Sequence, residues 1–292
     1  MCNKEKGILK EKLTINDIKR MKIIGEKISV TTAYDYVMAK IVDEAGIDII
    51  LVGGSLGMIL LGYKNTVPVT QQDIEHHLRP VVRAIKRSVV VAPLSFGAYQ
   101  ISNEQAIRNA IRLMQIGANS VKTQGAGSTI NRIKAIVKAN IPCMGHAGLT
   151  PQYISQIGGF RAVGKFSNEA KKVYEDCLAI QEAGAWAIEL ECVPYEVAKL
   201  ISKKLTIPII GTGSGIFCDG QYLNLYDALG LLKSFKPRFA KRYINLFNCS
   251  VEALKKFKKD VKEKKYPTED LSIKIPEKEL ENFKEEIKSL HK

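Results

Sequence analysis

Hydrophobic and polar positions along the chain follow a repeating plan. A short apolar, β-branched run is followed by a polar loop, and then by a stretch with apolar residues at helical spacing. Runs at 28–32, 49–52, 88–92, 120–123, 141–145, 186–192 and 207–211 predict strands buried on both faces, and an eighth is expected near 224–229. Helices with recognisable end signals are expected between them. Thr14 caps a lead-in helix over 13–23, Asp35 caps one that Gly46 ends, and Thr70 caps one running to about residue 86. Further helices are expected over 103–116, 128–139, 167–183 and 194–204, with Gly117 and Gly184 as stops.

About eight β/α units in series predict a closed parallel (β/α)8 TIM barrel with an outer ring of helices. An open, doubly wound sheet is the alternative. Such a sheet often carries a glycine fingerprint after its first strand, and none stands there. Residues 237–263 read as helical, and from Tyr266 the chain becomes rich in lysine and glutamate, with a terminal helix over 277–290. The expected organisation is a barrel domain over 1–265 and a charged, partly helical tail over 266–292.

Composition narrows the class without changing this picture. A chain of 292 residues, 46% hydrophobic and 25% charged, suits a soluble globular protein. No apolar run approaches the roughly 18–20 residues of a membrane span, and the first residues lead into no apolar signal core, so a cytoplasmic protein with no membrane partner is expected. The six cysteines (Cys2, Cys143, Cys177, Cys192, Cys218 and Cys249) show neither CxxC nor zinc-like spacing and read as free thiols. The net charge of +14 comes mostly from lysines mixed with acids near both ends, without interleaved aromatics. That pattern describes a solvated surface better than a nucleic-acid interface.

In such a barrel the reacting groups sit at the C-terminal ends of strands. Reading off those ends yields Ser55, Ser95, Lys122 with Gln124, His146, Glu191 and the segment 211–214. A lysine, a histidine and a glutamate around one mouth form an electrophile and acid/base set. Each also has a structural reading: Lys122 as the partner of a core carboxylate, His146 as a loop hydrogen-bonder. Glu191 ends an apolar strand, where an unpaired carboxylate is costly, and this favours a functional role.

Several segments resemble the ketopantoate hydroxymethyltransferase family. They are Thr32-Ala-Tyr-Asp-Tyr36, Leu51-Val-Gly-Gly-Ser-Leu-Gly-Met58, Pro68-Val-Thr70, Gly145-His-Ala-Gly-Leu-Thr-Pro-Gln152, Leu190-Glu-Cys-Val-Pro194 and Ile210-Gly-Thr-Gly-Ser-Gly215 with Asp219-Gly-Gln221. They occur in matching order over roughly 12–268, leaving the lysine-rich tail outside. The resemblance implies a barrel of the phosphoenolpyruvate/pyruvate superfamily, assembled as a homo-oligomer, often a decamer. It implies transfer of a hydroxymethyl group from 5,10-methylenetetrahydrofolate to C3 of 2-oxoisovalerate, in pantothenate synthesis, with Mg2+ chelating the oxo acid. On this basis Ser55 and the turn amides around Gly54 hold the substrate carboxylate, and Lys122 contacts the oxo acid. Glu191 accepts the proton, and His146 lies beside the substrate.

The sequence departs from the family at the metal. The family's carboxylates at three strand ends correspond here to Gly54, Pro93 and Gln124. Magnesium is normally held by one or two carboxylates, and none of these three side chains offers one. The inherited Mg2+ site is therefore expected to be lost. Glu189 lies two residues before Glu191, so both point to the same side of their strand. Two outcomes are open: Glu189 pairs with Lys122, or it nucleates a relocated cation site. Three functions follow: ketopantoate formation, a metal-independent carbon–carbon bond reaction on another 2-oxo acid, or a catalytically silent metabolite-binding homologue.

Overall fold

The computed structural model describes residues 12–233 and 237–290. The chain divides into two compact units, Met1–Tyr243 and Ile244–Lys292. The first begins with α1 (Ile15–Ile24), β1 (Ile28–Thr32), α2 (Tyr36–Glu44), β2 (Ile49–Leu51), α3 (Leu56–Ile59), α4 (Gln71–Ala84) and β3 (Val89–Pro93). It continues with α5 (Asn103–Ile116), β4 (Ser120–Lys122), α6 (Thr129–Lys138), β5 (Cys143–Gly148), a 3₁₀ turn at Pro151–Tyr153 and α7 (Ile154–Ile157). It ends with α8 (Ser167–Glu182), β6 (Ala187–Glu191), α9 (Tyr195–Lys204), β7 (Ile209–Thr212), β8 (Gly220–Tyr222) and α10 (Leu225–Ala228). The second unit holds α11 (Leu246–Lys262) and α12 (Glu277–Leu290).

The eight strands close into a barrel in sequence order, every neighbouring pair parallel. Closure runs through Gly220 of β8 beside Ile28 of β1. A Cβ at Gly220 would lie 2.6 Å from the Ile28 carbonyl oxygen, so only glycine lets the last strand come so close. Alternate strand residues face two different cores. Val30, Ile49, Leu51, Val89, Val91, Met144, Ala187 and Ile210 fill the barrel interior. Ile50, Val52, Val90, Val121, Cys143, Ile188, Leu190 and Ile209 pack outward against the helices. Both faces are dry, which is why these strands read as unbroken apolar runs.

The helix signals act where the sequence puts them. Thr14 and Asp17 form a reciprocal capping box on α1, and Thr70 and Asp73 form one on α4. Asp35 caps α2 by accepting from the Met38 N–H at 2.8 Å. With Leu13, Ile18 and Met21 of α1 bury into the interior cluster, so the lead-in helix closes that end of the core.

Three expectations are corrected. The eighth strand lies at Gly220–Tyr222, ahead of the expected 224–229. Asn224 accepts from the Tyr226 N–H at 3.0 Å and caps α10, so that segment turns into helix. The helix expected over 237–263 begins only at Leu246, where Asn245 caps it. β5 also runs beyond the expected 141–145, to Gly148, which brings His146 into the strand. Gly145 does not end it: a Cβ there would lie 2.3 Å from the Ile180 Cγ2, so this glycine serves the approach of α8. Among the described residues no helix is long and apolar enough to cross a membrane. Cys143, Cys177, Cys192, Cys218 and Cys249 are free thiols, and Cys2 lies outside the described residues.

Candidate active site

The C-terminal ends of β4, β5 and β6 bring together three of the residues expected from the sequence. Lys122 is the last residue of β4, His146 lies within β5, and Glu191 ends β6. Glu189 joins them from one interior layer deeper, paired in register with His146. Exposure follows depth: the side chain of Glu191 is 15% exposed and that of Glu189 2%.

Glu189 is held from two sides. Its Oε2 accepts from the Lys122 ammonium, and its Oε1 accepts from the Thr212 hydroxyl at 2.9 Å. Burial alone would push its carboxyl up, but Lys122, with help from His146 and Thr212, outweighs burial and holds it below the usual carboxylate range. The Lys122–Glu189 pair, one of the two outcomes open in the sequence, is present.

Glu191 is placed differently. Its Oε2 lies 3.1 Å from His146 Nε2, and no lysine or arginine pairs with it among the described residues. Burial pushes its carboxyl above the usual range, with His146 opposing the shift. His146 is 1% exposed, and neither ring nitrogen has a well-aligned hydrogen bond; Nδ1 stands 3.9 Å from Glu189 Oε2. The backbone locks this corner. Gly148 has φ +83°, and a Cβ there would lie 2.3 Å from the Glu191 carbonyl oxygen. Cys192 follows with φ 52°, a left-handed conformation that turns the chain out of the strand directly after Glu191.

Ser55 sits at the start of α3, in a second polar group. Its Oγ lies 2.7 Å from the Tyr34 hydroxyl, and the Asn224 amide donates to both, at 3.4 Å and 3.2 Å. Tyr222 lies nearby, its hydroxyl pushed well above the phenol range by burial and by neighbouring Tyr34 and Glu189. Ser95 lies elsewhere in the polar network, donating to Gln71. Ser214 is consumed by the backbone at Leu190 and Val193.

Tyr34, Tyr222 and Asn224 were not singled out from the sequence, and Thr212 only as part of the segment 211–214. Tyr34 and Thr212 stood inside motifs at strand ends, which was the available signal. Tyr222 and Asn224 were hidden because the eighth strand was expected several residues too late.

The positions that correspond to the family's metal carboxylates do not fit a magnesium ion. Gly54 has no side chain, although space exists: a Cβ would meet only Thr66 Cβ, at 3.6 Å. Pro93 offers no donor atom, and in register with it stands the cation Lys122. Gln124 Oε1 accepts from the Gln152 N–H at 3.0 Å, so its neutral oxygen is engaged. His146, Glu189 and Glu191 do present donor atoms within 4.8 Å of one another, but Lys122 already occupies Glu189.

The family model described as ketopantoate hydroxymethyltransferase matches residues 12–269. The 3-methyl-2-oxobutanoate hydroxymethyltransferase of Syntrophomonas wolfei is 45% identical over 273 residues, 93% of this chain and 99% of that protein. The enzyme of the same name from Ignicoccus hospitalis is 47% identical over 259 residues, covering 89% and 98%. Among solved structures, phosphonopyruvate hydrolase in complex with oxalate and Mg2+ aligns with a TM-score of 0.57 at 11% identity, over 95% of this chain and 98% of that one. A 2,3-dimethylmalate lyase of the PEP mutase/isocitrate lyase superfamily aligns with a TM-score of 0.57 at 14% identity, over 89% and 92%. These two likenesses speak to the fold alone, an eight-stranded parallel barrel. The sequence matches, nearly full length on both sides, say more: the chain belongs to the ketopantoate hydroxymethyltransferase family.

Proposed function

We propose that the chain transfers a hydroxymethyl group from 5,10-methylenetetrahydrofolate to C3 of 2-oxoisovalerate, taking up water and releasing tetrahydrofolate and ketopantoate for pantothenate synthesis. The observation that carries this reading is the meeting of a base, Glu191, and a cation, Lys122, through Glu189 and His146 at one corner of the barrel mouth.

Glu191 takes the C3 proton. It is the more exposed of the two glutamates, and burial raises its carboxyl although His146 and Lys122 oppose the shift, so it is the stronger base. Lys122 faces the oxygen on C2, where negative charge grows as the proton leaves. Ser55, with the turn amides at Gly54, holds the substrate carboxylate, and Tyr34 and Asn224 orient the Ser55 hydroxyl. His146 lies beside Glu191 and limits how that carboxylate turns. The reading carries with it a cytoplasmic homo-oligomer, the family decamer being the expected size.

Product formation tests it. Protein incubated with 2-oxoisovalerate and methylenetetrahydrofolate should yield ketopantoate, detected by mass spectrometry, and Glu191→Gln should lower the rate by about 10²–10⁴-fold. Folded protein that forms no product and exchanges no C3 hydrogen with solvent would overturn the reading in favour of a silent binding protein.

A further inference from the structure

Resting on the reading above, we infer that the Lys122 ammonium, held in place by Glu189, takes the electrophilic role of a divalent cation, and that enolisation of the oxo acid here is metal-independent. Three observations converge on this. First, none of Gly54, Pro93 and Gln124 supplies a carboxylate, and the one neutral oxygen among them is spent on Gln152. A hard divalent ion binds poorly where it finds no anionic oxygen.

Second, the corner already contains a cation. Lys122 is 7% exposed, and its acceptor among the described residues is Glu189. An ammonium has three N–H donors; one goes to Glu189 and two remain for a substrate. Two donors on one nitrogen can span the carbonyl and carboxylate oxygens of a 2-oxo acid, as a chelated ion would. Third, the remaining donor cluster is compromised as a metal site. Both oxygens of Glu189 are engaged, one by Lys122 and one by Thr212. An ion bound by His146, Glu189 and Glu191 would stand against the ammonium, an unscreened repulsion in this buried setting.

Glu189 is thus a positioning residue. Its carboxylate takes one of the ammonium's three N–H donors and so fixes where the other two point. The step balances without a further reactant. Glu191 accepts the C3 proton, the C3–H electron pair becomes the C2–C3 π bond, and the carbonyl π pair moves to oxygen, where Lys122 donates its hydrogen bonds. Reversal in D2O places deuterium on C3.

Exchange of the C3 hydrogen of 2-oxoisovalerate in D2O, followed by NMR, tests the inference. Metal-stripped protein in excess EDTA should exchange at a rate within about 2-fold of that with saturating Mg2+. Glu189→Gln should lower the rate 10-fold or more and change its pH profile, with Glu189→Asp partly restoring both. Exchange lost in EDTA and restored by Mg2+, Mn2+ or Zn2+ would overturn the inference and leave the enzyme reading intact. No exchange in any condition, with the fold verified by circular dichroism, would overturn both. Because the EDTA comparison uses the unaltered protein, it decides the matter even where Glu189→Gln does not fold.

Discussion

Lys122 on β4 and Glu189 on β6 meet inside the barrel, across the intervening strand β5, as a buried ion pair. Removing one partner of such a pair strands a charge in a dry interior, at a cost of about 3–5 kcal/mol, whereas replacing both with apolar groups of similar size is often neutral. Glu189→Leu is therefore expected to lower stability by about 3–5 kcal/mol, and Lys122→Met with Glu189→Leu to recover most of the loss. Urea unfolding of the two single variants and the double variant measures the coupling. Additive losses would mean that the pair is not an energetic unit.

Glu191 has the opposite environment, and this sets a pH dependence. Its folded-state pKa is raised above the ordinary 4.5, so the proton-accepting form is present only at higher pH than for an exposed glutamate. The acid limb of the exchange rate should lie above pH 4.5. The sign for stability follows. A raised folded-state value means that the favourable contribution is full below the unfolded value and is lost as pH rises through the folded one. Glu191→Gln should match the unaltered protein in stability near pH 4, and exceed it near pH 8, as read from urea midpoints at about those two values. A gain confined to low pH would contradict the placement of Glu191.

Much of the fold was legible because parallel strands buried on both faces leave unbroken apolar runs, and because the caps at Thr14, Asp35 and Thr70 are local chemistry. The eighth strand was not, since Gly220-Gln-Tyr222 is short and polar and closes the barrel by a close backbone approach rather than by burying apolar side chains. That displacement concealed Tyr222 and Asn224. The shared orientation of Glu189 and Glu191 could be read from strand periodicity alone. The Lys122–Glu189 pair was legible as well, because Lys122 lacks the anionic neighbours the family places beside it, and the curvature of the barrel brings β4 and β6 together across β5 to form it. The environment of His146 was missed in part, because Gly145 looked like a strand end and in fact marks where α8 packs.

Ser55 is expected to act on binding more than on turnover. Its hydroxyl lies within reach of Tyr34 and Asn224, and on the proposed reading these two orient it toward the substrate carboxylate. A hydrogen bond to a charged group contributes about 1.5–3 kcal/mol, so Ser55→Ala should raise KM for the oxo acid roughly 10- to 100-fold with a smaller change in kcat. Steady-state kinetics decide it. A fall in kcat alone would move Ser55 from substrate binding to the chemical step.

The lost metal positions can be tested by restoring them. Gly54 has room for a side chain, with only Thr66 Cβ at 3.6 Å, and its backbone lies outside the left-handed region. A Gly54→Asp, Pro93→Asp and Gln124→Glu variant should bind Mg2+ in calorimetry where the unaltered chain binds none with comparable affinity. Equal binding by both proteins would show that the native side chains already hold the ion.

The most direct measurement is the C3 deuterium-exchange rate of 2-oxoisovalerate with metal-stripped protein, followed as Mg2+ is added from zero to saturation. A rate that is substantial without Mg2+ and flat across the titration is expected if Lys122 and Glu189 replace the ion. A rate that starts near zero and rises saturably with Mg2+ would contradict it.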